Sequence, residues 1–296
     1  MTHVALIGFG EVGRILAEDL SGKAVTLSAW DLQFENPASG PATSAAAMAL
    51  NKAASAPEAA ANSQLVISAV TAAQTLPAAR SILPAVTRET IFLDLNSASP
   101  GVKREAAAEI DRAGGRYVEA AVMSPVPPKR IATPMLLGGP HAESVLPLLH
   151  SLGFEGAKFF SAETGKASAA KMCRSVMVKG IEALLSESML AARAYGVESA
   201  VLKSLDDLFP GPDWAKLARY MISRTLEHGA RRAEEMREVA RTIAEAGLDP
   251  HMSSAAAERQ AWAPRFATAL SEQDLDAMLD AIRAQMDAKA REARTP

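Results

Sequence analysis

The stretch Val4-Ala-Leu-Ile-Gly-Phe-Gly-Glu-Val-Gly13, near the start of the chain, decides the fold. Four apolar residues lead directly into a glycine-rich turn, and residues 12–20 beyond it have the apolar period of a helix. Residues 4–8 are therefore predicted to form a β-strand and residues 12–20 an α-helix. A strand, tight turn and helix in this order open a βαβ unit, and such units build a parallel sheet.

The same alternation continues to about residue 160 and then stops. Further apolar runs predict strands at residues 24–30, 65–70, 91–95, 117–122 and 135–137, and alanine-rich stretches predict helices at residues 42–53 and 101–113. Beyond about residue 165 the pattern is helical, at residues 166–195, 199–208, 214–228, 230–246 and 272–294. We therefore predict an α/β protein with a Rossmann-type parallel-sheet domain over residues 1–161, followed by an all-α C-terminal domain over residues 162–296.

Composition narrows the functional classes. The chain has 296 residues, 49% hydrophobic and 22% charged, which are the proportions of a globular protein with a core. A net charge of -3 gives no electrostatic basis for binding nucleic acid or an anionic membrane, and no apolar stretch reaches the roughly 20 residues of a membrane span. A single cysteine, Cys173, excludes an internal disulfide and favours the cytoplasm. The five histidines lack metal-ligand spacing, so no metal is expected.

The glycines of the opening stretch have separate physical roles. Gly8 permits a tight turn, Gly10 lets backbone N–H groups approach a pyrophosphate, and Gly13 lets the helix pack closely on the strand. The helix N-terminus then offers unpaired donors to the phosphates. The alternative is a glycine-rich turn without a ligand. The predicted dinucleotide contacts in this segment are Gly8, Phe9, Gly10, Glu11, Val12 and Gly13.

Polar residues at other strand ends extend the predicted cofactor site. Asp31 ends the second predicted strand, where a carboxylate would bond the adenosine ribose hydroxyls, although it could also be an ordinary turn residue. Residues 32–34 contain no Arg or Lys, which favours NAD over NADP. The ends of two further strands carry the remaining predicted cofactor contacts, which are Val70, Thr71, Asn96 and Ser97.

Four segments together resemble the β-hydroxyacid dehydrogenase superfamily, which includes 3-hydroxyisobutyrate and 6-phosphogluconate dehydrogenases. They are Gly8–Gly13, Asp94-Leu-Asn-Ser-Ala-Ser-Pro100, Val118-Glu-Ala-Ala-Val-Met-Ser124 and Gly165-Lys-Ala-Ser-Ala-Ala-Lys-Met-Cys-Arg-Ser175. The chain is most similar to the branch of phosphogluconate-dehydrogenase-like proteins with a distinctive C-terminal helical domain. The resemblance implies NAD(P)-dependent hydride transfer between nicotinamide and a small hydroxy acid or related carbonyl compound, and a homodimer built by the C-terminal helices.

The resemblance also implies roles for individual residues. Ser97 lies beside the nicotinamide, and Lys171, at the start of the long interdomain helix, is the acid/base. The substrate loop corresponds to Val122, Met123 and Ser124, although Met123-Ser124-Pro125 replaces the family's Ser-Gly-Gly. Ser175 replaces the family's asparagine four residues after the lysine and would hydrogen-bond the substrate or the lysine.

Two basic groups have alternative interpretations. On a helix, Lys171, Arg174, Ser175 and Lys179 share one face, which indicates either a surface for an anionic substrate or a solvated basic stripe. Arg231 could clamp a substrate carboxylate, or it could pair with a glutamate of its own helix.

Alternative functions on the same fold are an imine reductase, an oxidative decarboxylase and a non-catalytic dinucleotide-binding protein. Retention of Lys171 favours alcohol–carbonyl chemistry.

Overall fold

The chain forms two compact units, comprising residues 1–172 and 173–296. The computed structural model describes residues 2–48 and 50–292. The first unit extends past the boundary expected at residue 161, because the first turns of the long helix belong to it.

The first unit alternates strands and helices. Its elements are β1 (Thr2–Ile7), α1 (Glu11–Ser21), β2 (Val25–Trp30), α2 (Gly40–Ala47), β3 (Asn51–Lys52), α3 (Ala56–Ala60), β4 (Leu65–Ser68), α4 (Thr75–Ser81), β5 (Ile91–Asp94), α5 (Pro100–Arg112), β6 (Arg116–Val122), β7 (Met135–Gly138), α6 (Leu146–Ser151), β8 (Ala157–Ser161) and the start of α7 (Lys166–Tyr195).

The strands form one sheet in the order β3-β2-β1-β4-β5-β6-β7-β8. Every neighbouring pair is parallel except β6 and β7, which run antiparallel. The order from β3 to β6 is that of a Rossmann fold, so the predicted fold class is confirmed. The antiparallel pair departs from the all-parallel sheet that the pattern predicted.

Alternate residues of β1 face opposite sides of the sheet, as the pleat requires. Val4 and Leu6 pack in a core that includes Leu16, Ala17 and Leu20 of α1. Ala5 and Ile7 pack in a second core with alanines of α5 and with Ile110. The sheet is therefore covered on both faces, and this explains why its central strands are continuous apolar runs.

Two strands were missed by the sequence patterns. β3 has only two residues, both exposed, and three residues of β8 are exposed, so neither shows a buried apolar run. The helix predicted over residues 42–53 is wrong in its second half, because α2 ends at Ala47 and Asn51–Lys52 joins the sheet.

The second unit is helical, as predicted. It contains the rest of α7, then α8 (Glu198–Leu208), α9 (Trp214–Glu245), α10 (His251–Trp262), a 3₁₀ segment (Ala263–Ser271) and α11 (Leu275–Glu292). Its core is built from Met189, Ile222, Leu226, Phe266, Met278 and Leu279. In the part of the chain that the structure describes, no helix combines the length and apolar character needed to cross a membrane.

The break expected at Gly229 does not exist. Residues 214–228 and 230–246 were predicted as two helices, but α9 is continuous through both. Gly229 is buried, and a Cβ atom there would lie 2.3 Å from the carbonyl oxygen of Gln260. The glycine therefore serves close packing rather than a turn. The helix predicted to end at residue 294 is described to Glu292, and residues 293–296 lie outside the described residues.

Candidate active site

The glycine turn between β1 and α1 has the geometry that a pyrophosphate requires. Gly8 has a φ of +96°, and a Cβ at Gly13 would lie 2.2 Å from the carbonyl oxygen of Gly8, so both positions need glycine. Gly10 differs, because no atom lies within 4 Å of the place a Cβ would take. The N–H groups at the start of α1, among them those of Glu11 and Val12, have no partner inside the helix. Open space beside unpaired donors fits a phosphate group.

Asp31 is fixed beside this turn by two backbone hydrogen bonds. Its Oδ2 accepts from the N–H of Phe9 at 2.7 Å, and its Oδ1 accepts from the N–H of Gln33 at 2.8 Å. The ring of Phe9 is buried and packs against Phe34, with centroids 5.7 Å apart. Phe9 therefore uses both its ring and its N–H inside the protein, and its part in the site is to hold the carboxylate of Asp31.

A pocket of about 280 Å³ opens next to Asp31. Trp30, Leu32 and Phe34 supply apolar surface, and Lys52 of β3 supplies a cation. A volume close to the lower limit for small-molecule sites, with apolar walls and a few polar groups, fits the adenosine half of a dinucleotide. Sequence reasoning missed Lys52, because β3 was assigned to a helix.

The ends of β4 and β5 are tied together by Asn96, whose side chain is buried. Its Oδ1 accepts from the N–H of Val70 at 2.7 Å, and its Nδ2 donates to Ser68 Oγ at 2.9 Å. Val70 and Asn96 therefore shape the sheet edge. Thr71, the next residue, is exposed. Within residues 91–100, Ser97 alone is not buried.

Lys171 meets Ser97 at this edge. Its Nζ donates to Ser97 Oγ at 2.6 Å, and the lysine side chain is half-buried. The structure thus brings together two residues that the sequence separates by 74 positions. Each was predicted separately from the family resemblance.

The start of α7 is held in place from β6. Glu119 is fully buried, and its Oε1 accepts from the N–H groups of Gly165 at 2.8 Å and Ala167 at 3.0 Å. These bonds supply acceptors for unpaired donors at the helix start. Lys171 lies one turn beyond Ala167, so Glu119 fixes the part of the helix that carries it.

A buried ion pair lies beneath the Ser97 segment. Lys103 Nζ lies 2.7 Å from Asp94 Oδ1, and the Tyr117 hydroxyl donates to Asp94 Oδ2 at 2.6 Å. Burial, followed by the nearby Asp94 carboxylate, raises the pKa of Tyr117 well above its ordinary value, so the hydroxyl stays a donor. Asp94 Oδ1 also accepts from the Asn96 N–H at 2.9 Å, which fixes the segment leading to Ser97.

Sequence reasoning missed Lys103, although α5 carries a signal. Lys103 occupies the same helical stripe as the buried Ala106, Ala107 and Ile110, and a charge on an apolar stripe indicates a buried partner.

The predicted substrate loop leaves the end of β6. Val122, Met123 and Ser124 are half-buried, and the Met123 N–H donates to the Pro134 carbonyl at 2.9 Å. Further along, Arg130 adopts a φ of +52° and pairs with Glu18 and Asp19 of α1, each at 2.7 Å. The far end of the remodelled loop is therefore anchored on the helix that follows the glycine turn.

The other predicted substrate residues belong to the second unit. Ser175 is buried and Arg174 is exposed. Arg231 donates to Glu235 Oε1 at 2.5 Å, as the alternative interpretation held, and Lys179 pairs with the other oxygen of the same carboxylate. Their roles in substrate binding stay predictions.

Burial lowers the pKa of Lys179, whereas the Glu235 carboxylate opposes that shift. The neighbouring Arg232 pairs with Glu182 of α7.

Two family models match the sequence. Residues 3–159 match the NAD binding domain of 6-phosphogluconate dehydrogenase, and residues 192–263 match a domain of unknown function (DUF1932). No curated protein matches the sequence. The chain belongs to the β-hydroxyacid dehydrogenase superfamily, whose members are NAD(P)-dependent oxidoreductases, in a branch with a distinctive C-terminal helical domain.

Solved structures of similar proteins cover nearly the whole chain. A conserved hypothetical protein from Sinorhizobium meliloti 1021 is 37% identical, with a TM-score of 0.75, over 96% of this chain and 97% of that one. MTH1747, a protein of unknown function described as structurally similar to 3-hydroxyacid dehydrogenases, is 32% identical, with a TM-score of 0.69, over 87% and 95%. The 3-hydroxyisobutyrate dehydrogenase of Mycobacterium tuberculosis, solved with L-serine, shares the fold at 21% identity and a TM-score of 0.71, over 96% and 99%.

Proposed function

We propose that this chain is an NAD(P)-dependent dehydrogenase that transfers a hydride between the nicotinamide and a small hydroxy acid or related carbonyl compound. Lys171 is the acid/base. The observation that carries the proposal is the contact of Lys171 Nζ with Ser97 Oγ at 2.6 Å, at the sheet edge that also bears the glycine turn. Ligands of open α/β sheets bind at this edge.

The chemistry divides between cofactor and protein. The nicotinamide, when bound, accepts or supplies the hydride. Lys171 as an ammonium donates a proton to the carbonyl oxygen, and as a neutral amine it removes the proton from the hydroxyl. The Ser97 hydroxyl holds the lysine nitrogen and adds a second hydrogen bond near the reacting oxygen.

We infer an anionic small molecule as the substrate, because a lysine cation lies at the site. Val122 ends β6 at the same sheet edge, Met123 and Ser124 follow it, and the three are the proposed substrate loop. NAD is the favoured cofactor, because the fixed Asp31 carboxylate suits a ribose diol and repels a 2′-phosphate.

The test is a substrate panel measured with NAD and NADP, comparing the wild type with Lys171→Met. We expect turnover of a small hydroxy acid, and a loss of about 10²–10⁴-fold in kcat for Lys171→Met, the size typical of a missing acid/base. Cofactor affinity should not change. Lys166→Met is the matched control, because Lys166 is exposed and lies on the same helix.

Other outcomes would identify a different function. Full activity in Lys171→Met would remove the lysine from the mechanism. Reduction of cyclic imines without turnover of hydroxy acids would favour imine reductase chemistry, and release of carbon dioxide would favour an oxidative decarboxylase. Tight cofactor binding without turnover of any compound would favour a non-catalytic dinucleotide-binding protein.

We also propose a homodimer formed through the second unit. Among the described residues, ten of the thirteen large hydrophobic side chains that are exposed lie beyond residue 172, including Met177, Leu184 and Phe209. Such exposure favours a protein partner, and light scattering that gives the mass of one chain would contradict the dimer. A cytoplasmic location stays a prediction.

A further inference from the structure

β3 places a lysine at the edge of the adenosine pocket. In the parallel register of β2 and β3, Lys52 pairs with Ala29, and the N–H of Ala53 donates to the carbonyl of Ala29 at 2.9 Å. β2 then continues through Trp30 to Asp31. Because parallel strands end at the same edge of the sheet, Lys52 and Asp31 line one pocket.

The charges around this pocket are few. Asp31 and Glu35 are the carboxylates, and Lys52 is the one cation among the residues lining the pocket. Gln33, whose N–H fixes Asp31, brings no charge, and neither do Leu32 and Phe34. A phosphate group entering the pocket would therefore find its counter-charge on β3, and not in the segment after Asp31 where sequence reasoning looked for it.

The two opposed groups differ in mobility. The Asp31 carboxylate accepts two backbone hydrogen bonds, so its position is set before any ligand binds. Lys52 is exposed, and its four-carbon chain lets the ammonium move to a charged ligand. A ribose diol can bond the fixed carboxylate, whereas a 2′-phosphate must avoid it and bond the lysine.

We propose that Lys52 is the residue through which this chain accepts a 2′-phosphorylated dinucleotide, and that Lys52 and Asp31 together set the ratio of NADP to NAD affinity. The inference rests on the proposed function, since it assumes that a nicotinamide dinucleotide is the ligand. It adds a charged specificity residue from β3 to a pocket whose carboxylates, Asp31 and Glu35, follow β2.

The test measures binding of NAD and NADP to the full chain by calorimetric titration. Fluorescence of Trp30, which lies in the pocket wall, gives a second measure of binding. We expect Lys52→Ala to weaken NADP by about three- to tenfold, because an exposed ion pair is screened by solvent, and to leave NAD within about twofold. Lys52→Glu should weaken NADP further. The difference in NADP affinity between the wild type and Lys52→Ala should become smaller in concentrated salt.

Asp31→Asn provides the second arm. Without the opposing charge, NADP should bind about tenfold more tightly, and Lys52→Ala in that background should remove most of the gain. Lys158→Ala is the matched control, because Lys158 is exposed on β8 at the opposite edge of the sheet. It should change neither affinity.

The result that would overturn the inference is NADP affinity that stays within about twofold of its parent in Lys52→Ala and Lys52→Glu, with NAD bound normally. A wild type that binds no nicotinamide at all would instead overturn the proposed function, and this inference with it. If Asp31→Asn does not fold, the two Lys52 variants in the wild-type background decide the matter.

Discussion

In the hydrogen bond between Lys171 and Ser97, the lysine is the donor and the serine oxygen is the acceptor. The ammonium donates to the serine oxygen at 2.6 Å, which leaves the serine proton available as a further donor. A substrate oxygen near both groups could therefore receive two hydrogen bonds. Negative charge that develops on that oxygen would be stabilised by both.

Replacing Ser97 by Ala tests this arrangement. We expect kcat to fall about tenfold, which corresponds to one lost hydrogen bond of about 1.4 kcal/mol and is less than the loss for Lys171→Met. Because the two residues act as a unit, the double variant should be no slower than Lys171→Met alone. Ser151→Ala is the control, since its hydroxyl is exposed and bonds a local carbonyl. Additive losses in the double variant would contradict the coupling.

At the residue scale, the sequence predicted a site residue only where that residue belongs to a recognisable motif. Spacing predicted the glycine turn and Asp31, and the resemblance predicted Lys171 and Ser97, which the structure places in contact. The roles of these residues stay predictions. Neither signal predicted Lys52 or Lys103, because their neighbours are brought close only by the fold. Lys103 pairs with Asp94 in the core. Lys52 lines the same pocket as Asp31 because the two-residue strand β3 pairs with β2.

Among the elements, α7 begins with N–H groups that are buried and need acceptors from another element. Its first N–H groups would be buried without partners if Glu119 did not reach them from β6. The fit is tight, because a Cβ at Gly138 would lie 2.2 Å from Glu119 Oε1. The carboxylate thus joins β6, β7 and α7 at one point.

Glu119→Ala should therefore weaken the helix start. We expect the free energy of unfolding to fall by about 1–3 kcal/mol, the cost of leaving buried donors unpaired, and kcat to fall as well, because Lys171 loses its fixed position. Denaturant unfolding followed by circular dichroism measures the free energy of unfolding, and the substrate panel measures kcat. Glu119→Gln keeps an acceptor oxygen, so its stability and its kcat should lie between those of the wild type and Glu119→Ala. Unchanged stability in Glu119→Ala would show that the cap is not needed.

Strands were predicted correctly where burial requires a continuous run of apolar residues. β1, β4 and β5 are apolar runs because both faces of the sheet are covered, and they were found. β3 is short and exposed, so it carries no such pattern. Gly229 misled the assignment of α9, because a glycine used for close packing looks the same in sequence as one that ends a helix.

At the scale of the molecule, the change from alternating to purely helical periodicity predicted two units. The pattern could not place the boundary, since α7 continues through it without a break. Within the second unit, Arg193 links α7 to two other helices. It bonds Glu198 of α8 at 2.5 Å and Asp280 of α11 at 2.7 Å.

These bonds make the second unit sensitive to acid. The Arg193 hydrogen bond lowers the pKa of Asp280 below 3.8, and the backbone N–H of Glu198, followed by Arg193, lowers the pKa of Glu198 below 4.5. A carboxylate whose folded pKa is lowered contributes stability above its ordinary pKa, and that stability is lost as the pH falls through the lowered value.

Arg193→Met should therefore lower the Tm at neutral pH, and the difference from wild type should shrink as the pH falls below about 4. Arg237→Met, which changes an exposed arginine of α9, is the control and should have little effect at any pH. A Tm difference that does not depend on pH would show that Arg193 acts through packing rather than through its ion pairs.

The most direct test of the central claim, that this chain binds a nicotinamide dinucleotide at its glycine turn, is calorimetric titration of the wild type and Gly10→Ala with NAD and NADP. Because a Cβ at Gly10 meets no protein atom within 4 Å, the variant should keep the wild-type Tm while losing at least about tenfold in affinity, since the methyl group occupies the place of the phosphate. Saturable one-site binding to the wild type that is weakened in Gly10→Ala is the predicted result. Absence of binding by the wild type, or equal binding by both proteins, would contradict the account.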